Sequence, residues 1–372
     1  MSLRLEANNM AGAARRIVKR SLGRSGLELS ELGLGCGTIA GLYEPTSTED
    51  ARAVIADALA AGITYIDTAP FYGAGRAERL AGDALRESPK TCVLSTKAGR
   101  LLRSRTATLA PLPKWRKFSL PREMWVQTFD FDTVADYSYD GIMRSFEDSQ
   151  QRLGLPHIDL LLMHDVGLPF FFGEHRNEII KEAMTSGYRA LEELRRAGDI
   201  GGFGLGVGET DVCIQAFDHG DWDVFLIAGR YTLLDQAALD TLFPLCAKRG
   251  TRIIAGQPFN SGMLVGRASF DHANPPQAIV ERVRRLKEVC ATHKVPLAAA
   301  AIQFPLGHPV VASVLPGPRT RKEVSTMLDL YSQDIPVDLW SDLLSEGLLP
   351  RGTPVPHTRP PDLIPPETHR VP

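Results

Sequence analysis

The stretch Ile158–His164, which reads IDLLLMH, determines how the rest of the chain is interpreted. Its central residues are apolar without the alternation expected of a strand that has one face in water. Such a run is typical of a strand in a parallel sheet that is covered on both faces. The stretch therefore predicts a buried parallel strand that ends in a histidine.

Seven further segments have the same character, being short, apolar and ended by small or polar residues. They lie at 32–38, 64–67, 92–97, 201–207, 224–228, 252–256 and 310–316. Helical patterns separate them, as in STEDARAVIADALAAG, where apolar residues recur at the spacing of a helix with one buried face. Eight strands that alternate with helices predict an α/β fold of the (β/α)8 TIM-barrel type.

A doubly wound open sheet is the alternative fold. It requires a GxGxxG turn after its first strand, and GLGCGTIAG is rich in glycine but lacks that spacing. Before the first barrel strand, RIVKRSLGRSGLELSEL predicts a β-hairpin that covers the bottom of the barrel. The predicted organisation is a flexible leader at 1–17, a barrel domain at 18–348 and a proline-rich tail at 349–372.

Two long stretches, at about 99–139 and 165–177, follow the third and fourth predicted strands and are interpreted as irregular loops. Both are rich in aromatic residues, and both leave the C-terminal face, where barrel enzymes place their sites. We expect these loops, with a tyrosine after the first strand, to line a substrate pocket. The residues are Tyr43, Trp115, Trp125, Phe170 and Phe171.

Composition excludes several classes of protein. The 372 residues are 44% hydrophobic and carry a formal charge of −2, so no overall field favours nucleic acid or an anionic membrane. Neither a membrane-spanning run nor the apolar core of a secretory signal is present in the sequence. Five scattered cysteines without CxxC spacing predict reduced thiols in the cytoplasm, with neither disulfides nor a metal site.

Polar residues end three consecutive predicted strands. Asp67 ends the second, Lys97 the third and His164 the fourth, and Tyr72 lies in the loop after the second. Because the strand ends of a parallel barrel converge, these side chains can share one cavity. A buried lysine favours ionisation of a nearby phenol, a carboxylate fixes the lysine, and a histidine can orient a substrate oxygen.

Taken singly, each of these residues has an ordinary structural interpretation. Asp67 suits a turn or helix cap, Tyr72 a cavity rim, Lys97 a surface lysine and His164 a satisfied strand end. Four suitable residue types on three adjacent strands and one loop are harder to explain in this way. Together they predict proton transfer to an oxygen whose carbon exchanges a hydride.

The motifs DTAPFYG, LSTK and LLLMH, in this order, resemble those of the aldo-keto reductase superfamily. The resemblance implies that Asp67, Tyr72, Lys97 and His164 form the catalytic tetrad, with Tyr72 as general acid and base. Further segments, among them AGRYTLLDQ and IIAGQPFNSGML, resemble the branch of D-threo-aldose (L-fucose-type) 1-dehydrogenases and pyridoxal 4-dehydrogenases. That branch implies NAD(P)-linked oxidation of an aldose hemiacetal or of pyridoxal, which are small-molecule substrates.

The resemblance also implies where a nicotinamide cofactor, NADP or NAD, would bind. Positions after the fifth, sixth and seventh strands match the regions that hold the nicotinamide amide and the pyrophosphate, although the usual Ser-Asn pair is replaced by Gly208 and Glu209. The other positions are Arg230, Gln257, Pro258, Phe259, Asn260, Ser261 and Gly262.

The stretch after the eighth strand, LPGPRTRK, opens a helix whose N-terminal amides suit a phosphate. Gly317 lies in this turn, and Arg319, Arg321 and Lys322 could bind a 2′-phosphate. A solvated basic helix start is an equally good interpretation. The three cations favour tolerance of NADP.

Two other functions are compatible with the same residues. One is a general NADPH-dependent reductase of aldehydes and ketones. The other is a redox sensor or scaffold subunit that binds the cofactor and turns over slowly. No oligomeric state is predicted.

Overall fold

The computed structural model describes residues 17–88, 91–106, 113–121 and 123–356. The predicted leader lies outside these residues except for its last position, and so does the predicted tail from 357 onward. Leu349 and Val355 are buried, so packed chain continues to residue 356, beyond the expected start of the tail.

The described strands are, in chain order, β1 (Lys19–Ser21), β2 (Glu28–Ser30), β3 (Leu34–Gly35), β4 (Tyr65–Asp67), β5 (Val93–Ala98), β6 (Arg100–Ser104), β7 (Lys117–Phe118), β8 (Phe131–Ala135), β9 (Ile158–His164), β10 (Ile200–Val207), β11 (Val224–Ala228), β12 (Arg252–Gly256) and β13 (Val311–Leu315).

The described α-helices are α1 (Thr48–Ala60), α2 (Arg76–Glu87), α3 (Tyr139–Leu153), α4 (Pro169–Phe172), α5 (Arg176–Glu182), α6 (Tyr188–Ala197), α7 (Thr210–Ala216), α8 (Ala238–Arg249), α9 (Gln277–Thr292), α10 (Leu297–Gln303), α11 (Arg321–Ser332) and α12 (Val337–Ser345).

Eight parallel strands form the barrel, in the order β3-β4-β5-β9-β10-β11-β12-β13. The two ends of this sheet meet, because the amide of Gly33 donates to the carbonyl of Val314 at 2.9 Å and Gly35 donates to Pro316 at 2.9 Å. The predicted barrel is therefore confirmed, and the open doubly wound sheet is excluded. We call the C-terminal ends of these strands the mouth and the N-terminal ends the base.

Close packing between β10 and β11 explains why β10 is rich in glycine. A side chain at Gly204 would place its Cβ 1.7 Å from the carbonyl oxygen of Val224. No residue other than glycine fits there without moving the backbone of the neighbouring strand. Four of the five glycines of GGFGLGVG thus belong to β10, and Gly204 is required by the close approach of β11.

The predicted hairpin is present and lies at the base. β1 and β2 pair antiparallel, and Leu22 and Leu29 enter an apolar cluster with barrel residues that include Leu160. Arg24 in the hairpin turn donates to the carbonyl of Trp222, just before β11 begins, at 2.9 Å. The hairpin therefore covers the base, as the sequence predicts.

The prediction of an irregular chain at 99–139 is wrong, because β6, β7 and β8 form an antiparallel sheet in the order β6-β8-β7 above the mouth. The stretch 165–177 is likewise not irregular, since it contains α4 and the start of α5. The sequence of β6 does not indicate a strand, because its two leucines are flanked by Arg100 on one side and by Arg103 and Ser104 on the other. These elements give the mouth an ordered rim. Among the described helices, none is long and apolar enough to cross a membrane.

Candidate active site

Asp67 and Lys97 meet at the mouth because their strands are neighbours. Asp67 is in register with Ser95, and Lys97 lies two residues further along β5, so its side chain points to the same face. The ammonium of Lys97 donates to Asp67 Oδ1 and, at 3.0 Å, to the carbonyl of Thr68. Both side chains are buried. The carboxylate thus compensates the charge of a lysine that would otherwise be costly to bury.

Tyr72 reaches the same cavity from the loop between β4 and α2. Its ring stacks on Trp125 with centroids 5.6 Å apart and meets the ring of His164 edge-on at 5.8 Å. The ammonium of Lys97 lies 5.9 Å from the centroid of the Tyr72 ring. The structure therefore brings all four residues of the predicted tetrad together.

The pKa of Tyr72 differs from the sequence expectation. Burial raises it well above its ordinary value, the negative charges of Asp67 and Asp165 raise it further, and Arg100 lowers it only in part. The expected lowering of this pKa by Lys97 is outweighed by burial in the protein alone. Lys97 is engaged by Asp67, so burial dominates.

His164 is a neutral imidazole in this environment. Burial lowers its pKa well below the ordinary value, and the cations Arg100 and Lys97 lower it further. Its backbone carbonyl accepts from the hydroxyl of Tyr137, while its Nδ1 has no hydrogen-bond partner among the described residues. A neutral ring can donate one N–H to a substrate oxygen without repelling the nearby lysine.

Two of the predicted pocket residues lie against the tetrad or its aromatic surroundings. Trp125 stacks on Tyr72, and Phe171 packs on Phe118 at 4.5 Å and on Phe71 at 5.9 Å. Phe71 in turn meets His164 edge-on. Aromatic rings therefore form one wall of the cavity beside the proton-transfer residues.

The other three predicted pocket residues lie elsewhere. Trp115 stacks on His175 with centroids 4.1 Å apart, away from the tetrad, because the antiparallel sheet turns it towards α5. Phe170 is 80% exposed on the outer side of α4. Tyr43 lies on the cofactor side, where its hydroxyl is hydrogen-bonded to Nδ1 of His272. The stacking of Trp115 thus gives no support to its expected pocket role, whereas Phe170, although exposed, meets Phe171 of the aromatic wall edge-on at 5.1 Å.

The predicted cofactor residues after β10 and β11 form one polar group. Arg230 donates to the carbonyl of Gly208 at 2.7 Å and to Asp271 at 2.8 Å, and it lies 3.9 Å from Glu209. The pKa of Glu209 is raised, chiefly by burial. Arg230 therefore ties three loops of the mouth together.

The turn after β12 has the shape of a cradle. Gln257, Asn260 and Ser261 have positive φ, as has Gly262, and the intervening Pro258 is buried and Phe259 partly buried. Asn260 is fully buried, and its Oδ1 has no hydrogen-bond partner among the described residues. An unpartnered buried amide oxygen in a strained turn fits a ligand with a donor group, such as a nicotinamide dinucleotide.

The turn after β13 packs closely against the chain that follows β3. A Cβ at Gly317 would lie 3.1 Å from the hydroxyl of Thr38 and 3.2 Å from the carbonyl of Gly35. The basic residues that follow are engaged: Arg319 with Glu44 at 3.1 Å, and Arg321 with Asp57 at 2.7 and 3.1 Å. Lys322 is exposed.

Three polar residues of the site were missed from the sequence. Arg100 and Asp165 are hydrogen-bonded to each other beside the tetrad. His272 is attached to the cradle by two hydrogen bonds: its ring Nε2 is bonded to the Gln257 amide, and its backbone amide donates to the Ser261 hydroxyl. The first two could have been found, because Arg100 lies three residues after the motif LSTK and Asp165 follows LLLMH directly. His272 comes from a loop without any such signal.

The site combines a phenol, a buried cation and a neutral imidazole with an aromatic wall and a cradle for a dinucleotide. Within the described residues, no group of three or more His, Cys, Asp or Glu side chains could hold a metal ion. The geometry can exchange a proton with a substrate oxygen between Tyr72 and His164.

Comparison with known proteins agrees with this geometry. A model described as the Aldo/keto reductase family matches residues 31–343. The chain is 46% identical over 339 residues to pyridoxal 4-dehydrogenase of Microbacterium luteolum, covering 89% of this chain and 98% of that protein. It is 36% identical over 335 residues to D-threo-aldose 1-dehydrogenase of a Pseudomonas species, covering 88% and 96%. A solved aldo-keto reductase of Bacillus halodurans has the same fold, with a TM-score of 0.69, 24% identity and coverage of 92% and 99%.

Proposed function

Because the chain belongs to the aldo/keto reductase family, whose members are nicotinamide-dependent oxidoreductases, we propose that it oxidises pyridoxal, as the cyclic hemiacetal, with NAD. The observation that carries the proposal is the aromatic wall of Phe71, Trp125 and Phe171 beside Tyr72 and His164. A flat pyridine ring can pack on these rings while its hemiacetal carbon faces the phenol.

In the proposed reaction the hemiacetal loses a proton from oxygen and a hydride from carbon and becomes a lactone. Tyr72 takes the proton, His164 donates a hydrogen bond to the same oxygen, and Lys97 with Asp67 supplies a fixed positive charge. The nicotinamide ring, when bound, accepts the hydride. Because the pKa of Tyr72 is raised in the protein alone, the added positive charge of the oxidised cofactor would help the phenol to ionise.

An aldose offers the same hemiacetal group and is the second candidate substrate, supported by the aldose dehydrogenase among the relatives. The test is NAD reduction followed at increasing pyridoxal, with L-fucose as the competing substrate and pyridoxine, which has no aldehyde, as the matched control. We expect the highest kcat/KM with pyridoxal and no rate with pyridoxine. A higher kcat/KM with L-fucose would replace pyridoxal by an aldose. Turnover restricted to NADPH and simple aldehydes would favour the general reductase.

NAD, rather than NADP, is the cofactor we propose. Arg321 donates two hydrogen bonds to the carboxylate of Asp57 on α1, and Arg319 donates to Glu44. A 2′-phosphate would have to compete with these carboxylates for the cations, and their negative charges would repel it. The engagement of these arginines supports the proposal of NAD, whereas the three cations in the sequence favour tolerance of NADP.

The ratio of kcat/KM for NAD to that for NADP measures this preference. Asp57→Asn should lower the ratio by about tenfold, because it frees Arg321 and removes a negative charge. Asp83→Asn is the matched control, since Asp83 also pairs with arginines at the surface but on α2. An unchanged ratio in Asp57→Asn would rule out this carboxylate as the cause.

The cytoplasm is the compartment we propose. All five cysteines are unpaired, and four of them are buried. Free thiols are typical of proteins that work in a reducing compartment. The chain from 18 to about 356 is proposed as one barrel domain.

A further inference from the structure

Arg100, three residues after Lys97, is a buried cation. It is 1% exposed, and its guanidinium lies 4.6 Å from the ring centroids of both Phe71 and Phe171. One of its nitrogens, Nη2, donates to Asp165 Oδ2 at 2.8 Å, whereas Nε and Nη1 have no hydrogen-bond partner among the described residues. Asp165 is thus the anion that compensates this buried charge.

Asp165 connects Arg100 to the tetrad. Its carboxylate lies 3.6 Å from Nε2 of His164, and its charge acts on both Tyr72 and Lys97. Its side chain is 20% exposed, whereas that of Arg100 is fully enclosed. The carboxylate therefore lies between the enclosed arginine and the open part of the cavity.

The backbone holds Asp165 in this position at a cost. Its φ is +44°, a conformation that side chains other than Asn and Asp rarely adopt, and its amide donates to the carbonyl of Gly206 at 2.8 Å. Replacing a buried ion pair by apolar residues is often neutral or stabilising, so stability alone gives little reason for this pair. A strained residue beside a catalytic group is more typical of a functional constraint.

A carboxylate offers about four acceptor positions, and Arg100 takes only one of them. Burial raises the pKa of Asp165, and the positive charges of Arg100 and Lys97 oppose that effect, with smaller contributions from His272 and from a hydrogen bond with the Gly208 amide. Arg100 thus favours the ionised form, which is the better acceptor. A hydroxyl group of the substrate is a donor that fits the side of the carboxylate that faces the cavity.

We propose that Asp165 accepts a hydrogen bond from the substrate hydroxyl adjacent to the reacting carbon, and that Arg100 is the positioning residue that holds this carboxylate in place. The inference rests on the proposed function and adds a specificity determinant to the same site. In pyridoxal the group would be the ring hydroxyl next to the carbon that carries the aldehyde, bound in its protonated form. A substrate without this hydroxyl would leave a buried acceptor unpaired.

The test compares two substrates that both form the cyclic hemiacetal and differ by that hydroxyl alone: pyridoxal and 3-deoxypyridoxal, both oxidised with NAD. The measured quantity is the ratio of their kcat/KM values. We expect the wild type to favour pyridoxal by at least tenfold. Asp165→Gly removes the carboxylate at a position whose positive φ suits glycine, and it should abolish this preference. Asp165→Asn keeps an acceptor oxygen and should reduce the preference only in part.

Arg100→Gln should reduce the preference while retaining NAD binding, because it acts through Asp165. If Asp165→Gly does not fold, as judged by thermal unfolding and NAD affinity, Asp165→Asn decides. An equal loss of kcat/KM for both compounds would show a merely structural role and overturn the proposal, as would an unchanged ratio. A wild type that oxidises neither compound with NAD contradicts the proposed function instead.

Discussion

A buried arginine at the base of the barrel and one at the mouth differ in how many of their hydrogen-bond donors have partners. At the base, the guanidinium of Arg20 is bonded through Nε to Glu31, through Nη1 to the carbonyl of Val311 at 2.6 Å and through Nη2 to the carbonyl of Leu306 at 2.8 Å. At the mouth, Arg100 is more deeply buried but bonded only to Asp165. All three donor nitrogens of Arg20 are hydrogen-bonded, whereas Nε and Nη1 of Arg100 are available to other groups.

Backbone strain in residues other than glycine is concentrated on the mouth side of the barrel. Nine residues other than glycine have positive φ in the described chain, and all of them except Lys294 follow the C-terminal end of a barrel strand. Positive φ costs about 1–3 kcal/mol per residue and persists only where the surroundings enforce it. Substitutions at the base should therefore change the stability of the protein, whereas those at the mouth should change its activity.

The largest contrast is expected from removing one hydroxyl at each end. Tyr72→Phe should lower kcat by about 1,000-fold, since a positioned acid or base contributes roughly 100- to 10,000-fold. Tyr188→Phe is the matched control: its hydroxyl donates to the carbonyl of Asp221 near the base. It should retain kcat and lose about 1 kcal/mol of unfolding free energy.

Initial rates and urea unfolding, measured for both variants, check this prediction. NAD affinity and unfolding should be nearly unchanged in Tyr72→Phe. Equal kcat in the wild type and in Tyr72→Phe would remove the proton-transfer role of this residue.

The second contrast concerns the paired arginine of the base. Arg20→Met leaves the carboxylate of Glu31 without its buried cation and should lower the unfolding free energy by about 3 kcal/mol. The hairpin lies opposite the mouth, so kcat in the remaining folded protein should stay within about twofold of the wild type. Chemical denaturation and active-site titration measure the two quantities. A large loss of kcat without loss of stability would contradict the division between the two ends.

The barrel could be predicted because its signal is local. All eight barrel strands lie within or beside the segments that apolar runs predict, since burial on both faces leaves a continuous apolar run. The tetrad could be predicted because strand order brings neighbouring strand ends together. Asp67 and Lys97 need no information beyond the positions of β4 and β5.

The cofactor cations could not be interpreted from the sequence, because their partners are distant in the chain. Arg319 pairs with Glu44 across 275 positions and Arg321 with Asp57 across 264. Whether a cation is free depends on such tertiary contacts, which no local pattern contains. The stacking of Trp115 on His175 could not be predicted for the same reason, since it depends on how the elements above the mouth fold together.

A pH-dependent loss of stability should also come from the base. His308 lies just before β13, and burial lowers its pKa to about 4, with the charge of Arg252 as the smaller cause. Because the folded pKa is below the unfolded value, its contribution is complete above about pH 6.5 and is lost as the pH falls through about 4. We expect this contribution to be about 2 kcal/mol.

The measurement is unfolding free energy against pH for the wild type and His308→Asn, whose amide oxygen can still accept from the amide of Val310. The difference in unfolding free energy between the two proteins should change between pH 6.5 and 4. The contributions of all other titratable groups are the same in both proteins and cancel in this difference. His219→Asn, at an exposed position, is the control. Parallel curves for the wild type and His308→Asn would exclude this histidine as the source.

The smallest and sharpest contrast lies within one strand. A Cβ at Gly206 would lie 2.8 Å from Cε of Lys97, whereas one at Gly202 would lie 3.2 Å from Cβ of Ser25 in the hairpin turn. Gly206→Ala should displace the lysine end and lower kcat/KM by about tenfold, because errors of position near 1 Å are costly in catalysis. Gly202→Ala should leave kcat/KM unchanged and cost up to about 1 kcal/mol of stability at the base. The two alanines lie four residues apart on β10, so a general effect of alanine on this strand would affect both variants alike. If both variants lost activity, or if neither did, the position of a residue along β10 would not decide whether its substitution affects activity or stability. That result would contradict the distinction between the mouth and the base.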